Sequence, residues 1–357
     1  MKTIKNLLIV LMAITFLACH EEPRKAEDHF INYEIPEVPV EQDFVVGAFY
    51  NSFVWSNLVT EVPEAGLYDA EFGDPAAYQQ HVTWAKTGGI DYFLLRMRSG
   101  IDAVQFSADS AFIAKLHEAS NAGEMNFALR YNFGGMSLAD NNRIEDAGLV
   151  DQFINDFKAM KPFFSQSNYM KMGNKHVVMI DGAHNLHAND NAALYQQLRA
   201  AMSSEGIELF IIGTQPRWTP PMRYDFRFVG GVDAVSHESY IRLDINNYDR
   251  WILFPTLCDQ ALVYSQGKLA EYNLEYIPQI SPSYNGSVGN LTNTDYVVEK
   301  DRDWFTTYCN IAKRSSSPSR MVILDAFNDW NQDKQIEPAQ SYGTEFLNIL
   351  KQQFKVN

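Results

Sequence analysis

Short apolar runs recur along the chain and alternate with stretches whose apolar residues fall at helical spacing. Phe44–Tyr50, Ile90–Leu95, Asn126–Tyr131, Val177–Ile180, Leu209–Ile212, Val232–Val235, Tyr276–Ile280 and Met321–Leu324 each read as a buried strand. Asp74-Pro75 opens a helix with Tyr78, Val82 and Ala85 on one face, and Gly88-Gly89 ends it. Phe112, Leu116 and Ala119 mark a helix stopped at Gly123; Leu149, Phe153 and Phe157 mark the next, and Ala192–Met202 another. After the fifth strand, Pro216, Arg217, Trp218, Pro220 and Pro221 predict a loop instead of a helix. Helices follow near 248–272, 299–313 and 343–354. Strands alternating with helices argue for a parallel sheet. About eight such units in this length predict an α/β fold, a (β/α)8 barrel forming a single domain over residues 43–357. A doubly wound open sheet is the alternative, but no glycine-rich phosphate loop follows the first strand. Short internal repeats are absent.

The start of the chain departs from this rhythm. Lys2 and Lys5 precede an apolar run from Leu7 to Leu17, the pattern of a signal peptide over residues 1–18. The run is too short to read as a membrane-spanning helix. Ala18-Cys19 after it resembles a bacterial lipobox, which implies lipidation of Cys19, and His20-Glu21-Glu22 resembles the surface-export signals of Bacteroidetes lipoproteins. The expectation is an exported protein, lipid-anchored in the outer membrane on its periplasmic or cell-surface side. Residues 19–42, polar and acidic, read as a flexible tether. Composition sets the remaining bounds. At 46% hydrophobic and 20% charged residues the chain is an ordinary globular protein. A net charge of -15 without a basic cluster argues against nucleic acid, and leaves membrane contact to the lipid anchor alone. Cys258 and Cys309 fall in predicted helices and read as free, buried thiols. His184 and His187 have a spacing that could serve a metal but no further ligand motif, so no metal and no cofactor is expected.

In a barrel, chemistry gathers at the C-terminal ends of the strands. Those ends carry Tyr50 and Asn51, Arg96 and Arg98, Tyr131 and Asn132, Asp181 and His184, Gln215, then His237, Glu238 and Tyr240, and finally Ser283, Tyr284, Asn328, Asp329 and Gln332. Carboxylates, amides and aromatics together suit a neutral polyhydroxylated ligand, an oligo- or polysaccharide. Tyr50, Trp55, Tyr284 and Trp330 are expected to offer sugar-facing rings, with core packing as the other reading of Trp330. Arg96 reads equally as the partner of a buried carboxylate. His237-Glu238 reads either as a working pair or as one residue inside a strand end and one outside.

Several segments together resemble glycoside hydrolase family 99, which contains endo-acting α-mannosidases on a (β/α)8 barrel. They are Val46-Gly47-Ala48-Phe49-Tyr50; Pro63 to Tyr68 with Asp74-Pro75, Trp84-Ala85-Lys86 and Gly89-Ile90-Asp91; Ile277-Pro278 to Ser281-Pro282-Ser283-Tyr284; and Phe327-Asn328-Asp329-Trp330 continuing to Gln335-Ile336-Glu337-Pro338-Ala339. The resemblance implies two catalytic glutamates, three residues apart, at the positions of Asp329 and Gln332, with Asn328, Trp330 and Glu337 beside them at the sugar site. Gln332 does not ionise and cannot act as a general acid or base. Glu238 is then the first candidate for the missing proton donor, and Asp333 is nearer in sequence. Two expectations follow: a glycoside hydrolase with an altered acid/base pair, or a barrel that binds carbohydrate without turning it over.

Overall fold

The computed structural model describes residues 32–59, 61–216, 223–239, 248–293 and 297–356. The predicted signal peptide, Cys19 and Tyr240 lie outside the described residues. The strands are β1 (Val45–Tyr50), β2 (Tyr92–Arg98), β3 (Asn126–Asn132), β4 (Lys175–Asp181), β5 (Leu209–Gln215), β6 (Ala234–His237), β7 in two pieces (Glu275–Tyr276 and Gln279–Ile280) and β8 (Met321–Leu324). These eight pair in parallel, and β8 returns to β1; one further short strand, Lys171–Met172, lies antiparallel against β4. The interruption in β7 is where the barrel closes. Before Pro278 the segment bonds to β6, with the Ile277 N–H donating to the Val235 carbonyl at 3.0 Å. After it the segment bonds to β8, with the Ile323 N–H donating to the Pro278 carbonyl at 3.0 Å. Proline has no N–H to give, so the ladder changes partner there without leaving a donor unsatisfied.

The helices are α1 (Pro75–Thr87), α2 (Ala103–Leu116), α3 (Val150–Ala159), α4 (Asn191–Ser203), α5 (Tyr248–Ala270), α6 (Arg302–Ser315) and α7 (Glu345–Phe354). Asp74 caps α1 as its sequence predicts, accepting from the Ala76 and Ala77 N–H groups at 2.9 and 3.2 Å. Between β5 and β6 the only described helix is one turn, Asp225–Phe228, consistent with the proline-rich stretch before it. Cys258 and Cys309 are buried and are not joined in a disulfide. No described helix is long and apolar enough to cross a membrane.

Strand parity decides which residues reach the interior. Register places Arg96 beside Arg130 and Asn132 beside Asp181, and these side chains face the barrel axis. Their odd-numbered neighbours on β3 and the even-numbered Tyr50 on β1 face the helices. Tyr50 packs edge-on against Tyr78 of α1 at 5.3 Å, and Tyr131 packs near Phe153 of α3 while its hydroxyl donates to Asp156 at 2.6 Å.

The segment expected to be tether is docked from Tyr33 onward. The Tyr33 hydroxyl donates to Asp259 of α5 at 2.5 Å. Asn310 of α6 bonds the Val38 N–H and the Pro36 carbonyl, each at 3.0 Å, and Lys313 Nζ donates to the Val38 carbonyl at 2.8 Å. Arg320, just before β8, donates to the Gln42 and Asp43 carbonyls. This strap therefore runs over the outer helices α5 and α6, beside the C-terminal half of α6, and reaches the strands' N-terminal ends only at Gln42 and Asp43.

Candidate active site at the barrel mouth

The C-terminal ends of the strands surround an open cavity of about 1150 Å³. Phe49, Asn51, Arg96, Arg130, Asn132, Asp181, Glu238, Gln279, Tyr284, Asp325, Asp329, Gln332 and Lys334 all line it. The loop after β8 supplies most of the chemistry and is held rigidly. Asn328, fully buried, accepts from the Asn51 N–H at 2.8 Å and donates to the Asn51 carbonyl at 3.0 Å. Asn331 bonds the Ser56 N–H and the Val54 carbonyl in the same way. Glu337, also fully buried, accepts from Trp330 Nε1 at 2.8 Å and from the Tyr68 hydroxyl at 2.9 Å, and lies 3.0 Å from His81 Nε2. Such buried, hydrogen-bonded groups fix a loop in one arrangement.

Asp329 sits at the start of a single 3-10 turn, Trp330–Gln332, formed by the loop this network holds. Burial pushes its carboxyl up to about 6, against the pull of the Lys334 ammonium and with help from the Asp325 charge. Asp325 behaves oppositely. Burial raises it, but Lys334 Nζ at 2.8 Å and the Ser239 hydroxyl at 2.6 Å outweigh burial and hold it below the usual carboxylate range. Asp181 is pushed up by burial although Arg130 Nε lies 3.0 Å away. Gln332 and Glu238 are both exposed at the rim. Two neighbouring carboxyls whose affinities for protons are driven apart can divide donor and acceptor work.

The other sequence-derived positions divide by parity and burial. Asn51, Arg96 and Tyr284 reach the cavity. Tyr50, Tyr131 and His237 do not, because each stands one residue out of phase with the inward set. His237 lies against Gln215 at 2.8 Å and the Tyr276 hydroxyl at 3.0 Å, on the outer face. Trp330 is 1% exposed and its indole serves Glu337, so it is a core residue, as are Asn328 and Glu337. Trp55 is half-buried, its indole nitrogen donating to the Tyr68 carbonyl at 2.9 Å, and it stands outside the cavity wall. Arg130 and Lys334 were not legible as site residues. Arg130 alternates with apolar neighbours on β3, and counting inward from Arg96 by sheet register would have found it. Lys334 lies in a loop, and nothing in its spacing points inward. His187 bonds Asp140 at 2.7 Å, and no three His, Cys, Asp or Glu side chains group as a metal site would require among the described residues.

The closed parallel barrel is the fold that this chain shares with solved glycoside hydrolases. The chain belongs to the family described as glycosyltransferase WbsX, whose model matches residues 146–350. A solved structure described as a glycoside hydrolase-like protein is 36% identical, covering 93% of this chain and 99% of that one with a TM-score of 0.86. The family 99 endo-α-mannosidase of Bacteroides thetaiotaomicron is 14% identical over 86% of this chain and 96% of that one, with a TM-score of 0.60. The catalytic domain of a family 26 endo-β-1,4-mannanase from Bacillus sp. JAMB-750 is 9% identical over 88% and 87%, with a TM-score of 0.55. The last two likenesses are of fold. No curated protein matches the chain significantly.

Proposed function

We propose that this chain is a glycan-active barrel, exported and lipid-anchored through Cys19, that hydrolyses glycosidic bonds with an altered acid/base pair. The observation that carries this reading is the Asp329 carboxyl, raised to about 6 at the wall of a cavity of about 1150 Å³. A carboxyl with that affinity holds a proton for part of the time near neutrality and can pass it to a leaving glycosidic oxygen. Glu238, read from the sequence as the proton donor, takes the other role here: it is the second carboxylate of the pair and would take the proton of an attacking water. Asp325, kept ionised by Lys334, contributes a fixed negative charge to the positive charge that develops on the sugar ring. Gln332 would orient a sugar oxygen through its amide.

The neutral Gln332 also favours a second reading, in which the barrel retains glycans without cleaving them. A glycan panel incubated with the protein and read for both retention and new reducing ends separates the two. Release that disappears in Asp329→Asn supports the hydrolase. Retention without release, with Gln332→Glu then gaining slow release, supports the binding protein. Strong release surviving both Asp329→Asn and Glu238→Gln would sink the assignment of these residues. A positioned acid or base is worth about 10²–10⁴-fold, so losses should fall in that range.

A further inference from the structure

We propose that the glycan taken by this cavity carries an anionic substituent, a uronate carboxylate or a sulfate ester, and that Arg96 binds it. The inference rests on the glycan-active reading and adds a substrate class to it. Arg96 and Arg130 stand in register on β2 and β3, and both line the mouth. Their situations differ. Arg130 has its own carboxylate, Asp181, at 3.0 Å, and lies over the Phe49 ring at 4.2 Å. The carboxylate nearest Arg96, Asp109, is already taken. Arg98 donates to both of its oxygens, at 2.8 and 2.6 Å, and the Arg98 N–H adds a third bond at 2.8 Å. Arg96 Nε reaches Asp109 only at 3.7 Å, beyond hydrogen-bond range, and makes no hydrogen bond among the described residues. The guanidinium is left with the neutral Ser52 hydroxyl at 2.9 Å, while its side chain stays 33% exposed toward the cavity.

A guanidinium in this state presents a planar fork of donors whose nearest carboxylate is within ion-pair distance but out of hydrogen-bond reach, a geometry that planar oxyanions satisfy. Asn51, Ser52 and Asn132 stand along the same wall to hold the neighbouring hydroxyls. Four carboxylates also face the cavity. Asp181 is matched by Arg130 and Asp325 by Lys334, Asp329 is drawn toward its neutral form, and Glu238 sits at the rim. The chain as a whole carries -15, so its overall field does not attract polyanions. Recognition of an acidic glycan here has to be local, which makes it removable at one residue.

Calorimetric titration with matched pairs tests this. The probes are oligogalacturonide against its carboxyl-reduced form, and sulfated carrageenan oligosaccharide against its desulfated form, with neutral mannan oligosaccharide alongside. The two pairs tell carboxylate from sulfate. In the wild type, one acidic form should bind at least about tenfold more tightly than its neutralised partner. Arg96→Gln should erase that difference, and Arg96→Lys should retain part of it. The wild-type comparison needs no variant, so misfolding of Arg96→Gln cannot blur the outcome. Equal affinity for both members of each pair, or discrimination that survives Arg96→Gln, overturns the inference. Binding of neutral mannan alone overturns it and leaves the glycan reading standing, whereas failure to bind any of the probes overturns both.

Discussion

Asp329 shows how one side chain can be legible in identity and hidden in behaviour. Its place before Trp330 marks it in the sequence, but its raised affinity for a proton comes from burial and from Asp325, which only the fold brings near. That shift has a thermodynamic sign. The folded value, about 6, lies above the ordinary 3.8, so the folded state binds more protons between those values and loses stability as pH rises through them. Above about pH 6 the ionised, buried carboxylate is a standing penalty, at most about 3 kcal/mol. Asp329→Asn should therefore raise the melting temperature at pH 8 and leave it nearly unchanged at pH 4, measured by scanning calorimetry, while removing glycan cleavage. A melting temperature lowered equally at both pH values would show that the carboxylate supports the fold. Trp330 carries the opposite lesson. Its position beside Asp329 suggested a sugar-facing ring, yet its indole N–H is committed to Glu337 in the core. Trp330→Ala should cost about 3–5 kcal/mol in urea denaturation, as truncation of a buried aromatic does.

At the scale of elements, the strands were legible because each is a short apolar run, and β8 matches its reading at both ends. What the runs could not give was phase. A buried strand is apolar on both faces, so alternation is weak, and Tyr50, Tyr131 and His237 were placed at the mouth when they belong to the outer layer. The division of β7 at Pro278 was equally invisible as a closure, since a proline in a strand reads only as a break. The barrel interior imposes its own restriction on β1. A Cβ added to Gly47 would lie 2.4 Å from the Tyr92 ring, which fills that level of the barrel. Gly47→Ala should destabilise the fold by about 1–3 kcal/mol through overpacking, and Tyr92→Phe combined with it should recover little, because the ring carbons themselves are in the way. Chemical denaturation of the single and double variants checks this.

For the whole molecule, the alternation of elements was enough to give a single barrel, and the motif around Asp329 was enough to bring out the family 99 likeness. The charged interior was not legible, since Arg130, Lys334 and Asp325 are scattered in sequence and become one site only when the sheet closes. The proposed anchoring is read from the first residues of the sequence. Cys19→Ala should move the mature protein from the membrane fraction to the soluble one, followed by immunoblot of sedimented cells, and continued sedimentation would count against a lipid at that cysteine.

The strap over α5 and α6 bears on what that anchor would do. A tether leaving from Tyr33 pulls on the outer wall, where Asp259 of α5 meets Arg314 near the C-terminal end of α6, and about 14 residues separate Tyr33 from Cys19, roughly 46–50 Å when fully drawn out. A molecule moored in this way would hang by its wall like a cup by its handle, with the mouth clear of the cord. Its reach is set by the cord, and its aim by the bonds from Asn310 and Lys313 to the strap. Long polymers arriving from the bulk would meet the opening first, without having to thread between the protein and the lipid beneath it.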